Sequence, residues 1–177
     1  MKPVIILLCT LTLILNSCNS IKNHKNKEIT ISKFYDADSI LMMENYSKKG
    51  EWIKSIWYTK EGEKYEFQLF PYEQQVKFFN NQKDYDSFLQ KNHRDVSEFN
   101  FVGTYHVRLL VSKQGGIIDG RIIRKTQGCE PCDTLALQTI EIMKKKIRAV
   151  KYNKKANTVV TIRIPFGKVY GVEETKR

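Results

Sequence analysis

Hydrophobic and polar positions alternate most regularly between Thr104 and Ser112, where every second residue is apolar and only Leu110 departs from the pattern. This alternation is typical of a β-strand with one buried face. A glycine-bearing turn at 113–116 follows, and Ile117 to Arg124 is predicted to return antiparallel to the first strand. Within that second strand, Gly120 indicates either a bulge or a close backbone approach.

Helical spacing replaces this alternation after Cys132. Asp133 can cap a helix that runs to Val150, and basic residues near its end complement the helix dipole. The apolar stripe of this helix consists of Ala136, Ile140, Met143, Ile147 and Val150. Alternation returns from Thr158 to Phe166, which predicts a last strand. Three strands and one helix predict an antiparallel three-stranded sheet with the helix packed on one face, an α+β arrangement.

The N-terminal half contains three runs rich in aromatic and β-branched residues, separated by glycine-bearing turns. The runs are Ile40 to Tyr46, Glu51 to Thr59 and Lys64 to Phe70. Such a series predicts a β-meander joined by hairpins. Apolar residues at helical spacing within Asp84 to Asn92 predict one short helix. We therefore expect a small β-meander and a short helix to precede the three-stranded sheet.

The longest apolar run extends from Pro3 to Leu15 and follows Lys2. It is shorter than the roughly 20 residues that span a bilayer, and it matches the apolar region of a signal peptide. Leu15 to Cys18 resembles the lipobox of bacterial lipoproteins, in which an aliphatic residue and two small or polar residues precede the lipidated cysteine. This resemblance implies a signal peptide at 1–17, lipidation of Cys18 and a lipid-anchored tether at 18–32. An ordinary signal peptide cleaved nearby is the alternative.

The lipoprotein resemblance also implies where the protein works. We expect it to be anchored by lipid to the cell envelope and to face the periplasm, with the outer membrane favoured over the inner one. The formal net charge of +11 would suggest a nucleic-acid partner in a cytoplasmic protein. Export removes that partner, and the scattered lysines are interpreted as a solvated surface with at most weak attraction to anionic lipid.

Beyond the tether, the pattern divides the chain into three segments. These are a β-rich region with a short helix at 33–100, a C-terminal domain at 101–166 and a tail at 167–177.

Several motifs of the C-terminal domain occur together. They are Gly103 before the first strand, V-x-L-x-V-S-x-x-G-G-I-I from Val107 to Ile118, L-A-L-x-x-I from Leu135 to Ile140, and T-I-R-I-P-F from Thr161 to Phe166. As a set, over Gly103 to Phe166, they resemble the C-terminal domain of the TonB family, periplasmic proteins that bind outer-membrane transporters.

The resemblance implies a mode of binding. In the TonB family an extended peptide of the partner pairs with an exposed strand, so that backbone hydrogen bonds give affinity and side-chain pockets give selectivity. The corresponding strand here consists of Thr158, Val159, Val160, Thr161, Ile162, Arg163 and Ile164. The expected partner is a cell-envelope protein, and an outer-membrane transporter is one candidate. In the alternative interpretation, the N-terminal meander simply covers this edge.

The chain departs from the family in ways that bear on function. Ile147, Ala149 and Lys154 stand where the family has an aromatic residue, a proline and a glycine. The sequence has no apolar segment that would serve as an uncleaved membrane helix and no long proline-rich spacer. We therefore expect a TonB-like binding module that is not itself an energy transducer.

The sharpest alternative is an enzyme, because Cys129 and Cys132 stand directly before the predicted helix in a C-x-P-C arrangement. A helix N-terminus lowers a thiol pKa, and this spacing is typical of thioredoxin-like oxidoreductases. Those folds build the motif into βαβ units, whereas the preceding hairpin here is antiparallel. A subset of the TonB family also has cysteines before this helix. If Cys9 leaves with the signal and Cys18 is lipidated, Cys129 and Cys132 remain to form a structural disulfide in an oxidising periplasm.

Other catalytic and metal-binding patterns are missing from the sequence. His24, His93 and His106 lie far apart, without cysteine or carboxylate residues at ligand spacing. Neither a phosphate-binding loop nor a nucleophile motif occurs. We expect no cofactor and no metal, and thiol–disulfide exchange is the one enzymatic activity left open.

Overall fold

The structure, a computed structural model, describes residues 29–69, 76–92 and 102–167. These residues form a mixed α+β fold with two antiparallel sheets, one of four strands and one of three, and two helices. The predicted α+β class is thereby confirmed. The predicted signal peptide, Cys18 and most of the predicted tether lie outside the described residues, as does nearly all of the predicted tail.

The N-terminal sheet is a meander with the strand order β1-β2-β3-β4. Its strands are β1 (Ile29–Tyr35), β2 (Leu41–Lys48), β3 (Glu51–Tyr58) and β4 (Lys64–Phe67). β2, β3 and β4 correspond to the three predicted runs. β1 was not predicted, and it begins inside the segment predicted as a tether at 18–32. Six of its seven side chains are exposed, Ile29 and Ile31 among them.

The turn between β2 and β3 follows from two residues. Lys49 and Gly50 both have positive φ, 54° and 81°, and Lys48 pairs with Glu51 across them. Positive φ at both central residues defines a type I′ turn, whose twist matches that of the flanking strands. The glycine adopts this conformation at little steric cost.

The first helix, α1 (Gln82–Asn92), begins slightly before the predicted start at Asp84. The side-chain oxygen of Asn81 accepts a hydrogen bond from the N–H of Asp84 at 2.9 Å and caps the first turn. Leu89 is fully buried. The ring of Tyr85 lies 5.1 Å from that of Phe79, which places this side of α1 on the main hydrophobic core.

The C-terminal sheet has the strand order β6-β5-β7. Its strands are β5 (Gly103–Val111), β6 (Ile117–Arg124) and β7 (Thr158–Phe166). β5 is central and pairs antiparallel with both neighbours. Each of these strands lies within a residue of its predicted position, because alternation marks β5 and β7 and the glycine-bearing turn marks the start of β6.

The second helix, α2 (Glu130–Lys146), starts earlier and ends earlier than the predicted span of Asp133 to Val150. Pro131 occupies its first turn, where the missing N–H is not needed. The helix ends at Lys146 because the next residues bond elsewhere: Ala149 donates its N–H to the C=O of Gly115 at 2.9 Å, and Val150 to that of Lys77 at 2.8 Å. Val150 is 56% exposed, so its predicted place in the buried stripe was wrong.

α2 covers one face of the C-terminal sheet. Buried side chains of the sheet and the helix meet there, among them Val107, Ile140 and Met143. Gly120 lies directly under the helix, since a Cβ atom at this position would be 2.6 Å from Cγ2 of Ile140 and 2.8 Å from Cδ2 of Leu109. The close approach predicted at Gly120 is therefore confirmed.

The other face of the C-terminal sheet packs against the N-terminal sheet. Met43, Trp57 and Phe67 form a second buried cluster with Leu110 of β5. The C-terminal sheet is thus the middle layer of three, with α2 on one side and the meander on the other.

A buried ionic network joins the two sheets at Arg121 of β6. The guanidinium group donates to the carboxylate of Asp36 at 3.0 Å and to that of Asp119 at 3.2 Å. It also donates to the C=O of Tyr58 at 3.2 Å, and the indole N–H of Trp57 donates to Asp119 at 2.8 Å. Arg121 is 1% exposed, so its charge is compensated inside the protein rather than by water.

Candidate functional site

The strand predicted to bind a partner, Thr158 to Ile164, lies at an edge of the C-terminal sheet. β7 pairs with β5 along its whole length, from Thr158 opposite Val111 to Phe166 opposite Gly103. Within the described ranges no strand pairs continuously with its other side. The backbone groups that point away from β5 therefore determine what β7 can bind.

Both ends of β7 are held from this outer side. At the start, the N–H of Gln68 donates to the C=O of Asn157 at 3.0 Å, and the hydroxyl of Thr158 donates to the C=O of Gln68 at 3.1 Å. Near the other end, the hydroxyl of Tyr85 in α1 donates to the C=O of Arg163 at 2.5 Å. The edge is therefore partly covered, by the end of the meander and by α1.

Within the described ranges, the middle of β7 remains open on its outer side. In an antiparallel pair, N–H and C=O of one residue point to the same side and alternate along the strand. Because the C=O groups of Asn157 and Arg163 point away from β5, those of Val159 and Thr161 do so as well. Among the described residues, none forms a hydrogen bond with the outward N–H or C=O of Thr161. Thr161 is thus the centre of the accessible edge.

A cleft of about 350 Å³ opens beside this part of β7, between the two sheets. Phe34, Met43 and Asn45 line it from the N-terminal sheet. Arg108 and Thr161, which are opposite each other in the register of β5 and β7, line it from the C-terminal sheet. The open backbone of Thr161 and the cleft therefore belong to one site.

Arg108 is a half-buried cation in this cleft. One guanidinium nitrogen lies 3.8 Å from Sδ of Met43, a weak contact. In the described part of the chain Arg108 forms no salt bridge. Burial lowers the pKa of its guanidinium group, yet an arginine remains charged at neutral pH. The charge faces the cleft without an anion from the described residues.

The side chain of Asn45 adds a second polar group to the walls of the cleft. Its side-chain oxygen is buried and accepts no hydrogen bond from the described residues. Buried polar atoms are nearly always hydrogen-bonded in folded proteins. Asn45 and Arg108 therefore make the walls of the cleft partly polar, and the described residues supply neither a donor to the Asn45 oxygen nor a carboxylate to Arg108.

Cys129 and Cys132 are joined by a disulfide, with the sulfur atoms 1.99 Å apart, at the start of α2. Both side chains are buried: Cys129 is 6% exposed and Cys132 is not exposed. The hydroxyl of Tyr105 donates to the C=O of Cys129 at 3.2 Å. The described structure thus encloses the disulfide between β5 and the first turn of the helix.

Charged residues surround this helix start. The hydroxyl of Tyr105 donates to Asp133 at 2.6 Å, and Lys125 donates to Asp133 and Asp38, each at 2.7 Å. Burial and the hydrogen bond to Asp133 raise the pKa of Tyr105 above its usual range. Burial tends to raise the pKa of Asp133, but the hydrogen bonds from Lys125 and Tyr105 outweigh it, and the pKa is lowered. The carboxylate is thus held ionised beside the disulfide.

The remaining predicted site residue, Cys18, lies outside the described residues. No helix within the described ranges is long and apolar enough to cross a membrane. The described residues also contain no cluster of His, Cys, Asp and Glu that could hold a metal ion.

Comparisons with known proteins give no further guide: neither a family model, nor a curated protein, nor a solved structure matches the chain.

Four residues that shape the site were missed in the sequence: Gln68, Tyr85, Arg108 and Asn45. Arg108 occupies a polar position in an alternating strand, and such positions usually face water. Here the N-terminal sheet covers that face instead. Leu110, the one apolar residue that departs from the alternation, lies on the same face of β5 and is fully buried. It could have indicated that this face is covered.

Proposed function

We propose that this chain is a lipid-anchored protein of the cell envelope whose C-terminal domain, TonB-like in its motifs, binds an extended segment of another envelope protein by strand addition at Thr161. It does not transduce energy itself. The observation that carries this proposal is the outward N–H and C=O of Thr161 at an edge of the sheet, since strand addition needs such free backbone groups.

Several structural features support strand addition at β7 but limit it to a short part of the strand. Like Thr161 and Arg163, Pro165 occupies a position whose backbone groups point away from β5. A proline is tolerated there because the pairing of β7 with β5 needs no N–H from that position. The contacts from Gln68 and Tyr85 restrict pairing to the middle of β7. Each backbone hydrogen bond contributes about 0.5–1.5 kcal/mol net. Pairing at Thr161 alone is therefore weak, and the cleft must supply further affinity.

The disulfide is assigned a structural role in this proposal. A thiol–disulfide oxidoreductase needs a sulfur atom that an incoming thiolate can reach, whereas Cys129 and Cys132 are both buried. The motif also follows the antiparallel hairpin of β5 and β6 rather than a parallel crossover. These features favour a binding module over the oxidoreductase alternative.

Proline at Thr161 tests the binding mode. Thr161→Pro removes an N–H that the sheet does not use, so we expect the fold to persist and partner binding to be lost. A photo-crosslinking residue placed at Arg163, which is exposed, reports binding in cells. The crosslinked partner should disappear with Thr161→Pro and persist with Thr161→Val, the matched control that keeps both the N–H and the branched side chain.

Two results would contradict strand addition at this edge. One is a crosslinked product that persists with Thr161→Pro. The other is an identical product from a crosslinker at Lys64, an exposed residue of β4 in the other sheet.

The anchor is tested separately at Cys18. Cys18→Ala should abolish incorporation of a labelled fatty acid and move the protein from the membrane fraction to the soluble fraction, because acyl chains contribute about 0.8 kcal/mol per buried methylene. A variant that still fractionates with membranes, when neither form carries an acyl chain, would rule out the lipoprotein interpretation.

A further inference from the structure

Two polar side chains in the walls of the cleft beside Thr161 lack a full set of partners among the described residues. Arg108 has no carboxylate among the described residues, and the side-chain oxygen of Asn45 is buried without a hydrogen bond from them. Phe34 and Met43, which also line the cleft, are apolar. A half-buried cation binds an anion more strongly than a fully exposed cation does.

The position of the cleft decides which anion can reach Arg108. Neighbouring strands lie about 4.8 Å apart, so a strand added to β7 would place its backbone about 10 Å from that of β5. Thr161 stands between the two and has a short side chain. An extended arginine and a Glu or Asp side chain on the added strand can therefore meet above Thr161, on the face of the sheet that lines the cleft.

Asn45 can complete such a site. A carboxylate accepts up to four hydrogen bonds, and a carboxamide can turn either its oxygen or its NH₂ group toward the same space. With a carboxylate in the cleft, the NH₂ group of Asn45 would face it and donate.

We propose that the cleft is a selectivity pocket for an acidic side chain of the bound peptide, with Arg108 pairing with the carboxylate and Asn45 orienting it. This inference rests on strand addition at Thr161 and adds the chemical class of the ligand. The partner segment is an extended peptide with Glu or Asp at the position whose side chain enters the cleft, directly beside Thr161.

The test compares two capped, fluorescently labelled peptides, Val-Thr-Glu-Thr-Val and Val-Thr-Gln-Thr-Val, by fluorescence anisotropy with the full chain in detergent micelles. We expect the Glu peptide to bind about tenfold more tightly, which corresponds to about 1.4 kcal/mol. Arg108→Gln should remove this preference and leave the affinity for the Gln peptide unchanged. Arg124→Gln is the matched control, because Arg124 is an exposed arginine of the same sheet. It should keep the preference.

The outcomes separate this inference from the proposed function. If both peptides bind equally and Thr161→Pro abolishes both, strand addition holds and the acidic pocket is refuted. If Thr161→Pro changes nothing, or neither peptide binds, strand addition fails as well. The wild-type comparison of Glu with Gln decides the question even if Arg108→Gln does not fold.

Two other occupants of the cleft are distinguished in the same assay. Free glutarate that competes with the Glu peptide but binds equally well to Thr161→Pro would indicate a small-anion site and overturn the peptide assignment. Leu69 also lines the cleft, and Glu73, four positions later in the sequence, is a carboxylate of the chain itself. A preference for the Glu peptide that emerges only in the Glu73→Gln variant would show that the chain's own carboxylate fills the site, and would likewise overturn it.

Discussion

At Gly120, α2 lies so close to the sheet that even a methyl group lacks space. Gly120→Ala should therefore displace Ile140 or Leu109 and destabilise the protein by about 1–3 kcal/mol, a typical result of overpacking. Gly116→Ala is the control, because a Cβ atom there would meet only Ser112 Oγ, at 3.6 Å, and should change stability by less than about 0.5 kcal/mol. Urea denaturation followed by circular dichroism measures both. Equal effects of the two substitutions would refute the close contact.

Single residues also show how far sequence patterns predict the site. The alternation around Thr161 predicted its strand, and its place at an edge was expected from the family resemblance. Arg108 and Asn45 could not be found in this way, because their importance depends on two sheets meeting across a cleft. Alternation shows which residues share a face of a strand, but it does not show what covers that face. Arg121 was missed for the same reason.

At the scale of elements, the disulfide at the start of α2 can be tested both for a role in stability and for thiol–disulfide exchange. Replacing both Cys129 and Cys132 with serine should destabilise the protein by about 2 kcal/mol, the loop-closure entropy expected for so short a loop. The unmodified protein should not accelerate reduction of insulin by dithiothreitol, since both cysteines are buried. Acceleration that Cys129→Ser abolishes would favour the oxidoreductase alternative.

Element boundaries were predicted best where the local pattern alone determines them. The strands of the C-terminal sheet were predicted to within a residue. The end of α2 was not, because the N–H groups of Ala149 and Val150 bond to the C=O groups of Gly115 and Lys77, which lie far away in the sequence. β1 was missed because its first residues were assigned to the tether, although Ile29 and Ile31 alternate with Thr30 and Ser32.

For the whole molecule, the network at Arg121 links the two sheets. Arg121→Met would leave Asp36 and Asp119 as buried charges without their cation, and should destabilise the protein by about 3–5 kcal/mol. Arg124→Met changes an exposed arginine of the same strand and serves as the control. Denaturation followed by tryptophan fluorescence reports the N-terminal sheet, and far-ultraviolet circular dichroism reports the helices. A loss below about 1 kcal/mol would show that the network does not couple the two sheets.

The partial cover on β7 has a consequence for behaviour at high concentration. An exposed strand edge is a template on which copies of a protein can add to one another and aggregate. Fibrillar stacking generally involves segments of about six or seven residues. The contacts of Gln68 at one end of β7 and of Tyr85 at the other leave too little backbone for such a segment. Copies of the protein at high concentration would thus remain separate, although the middle of β7 stays unpaired on its outer side among the described residues.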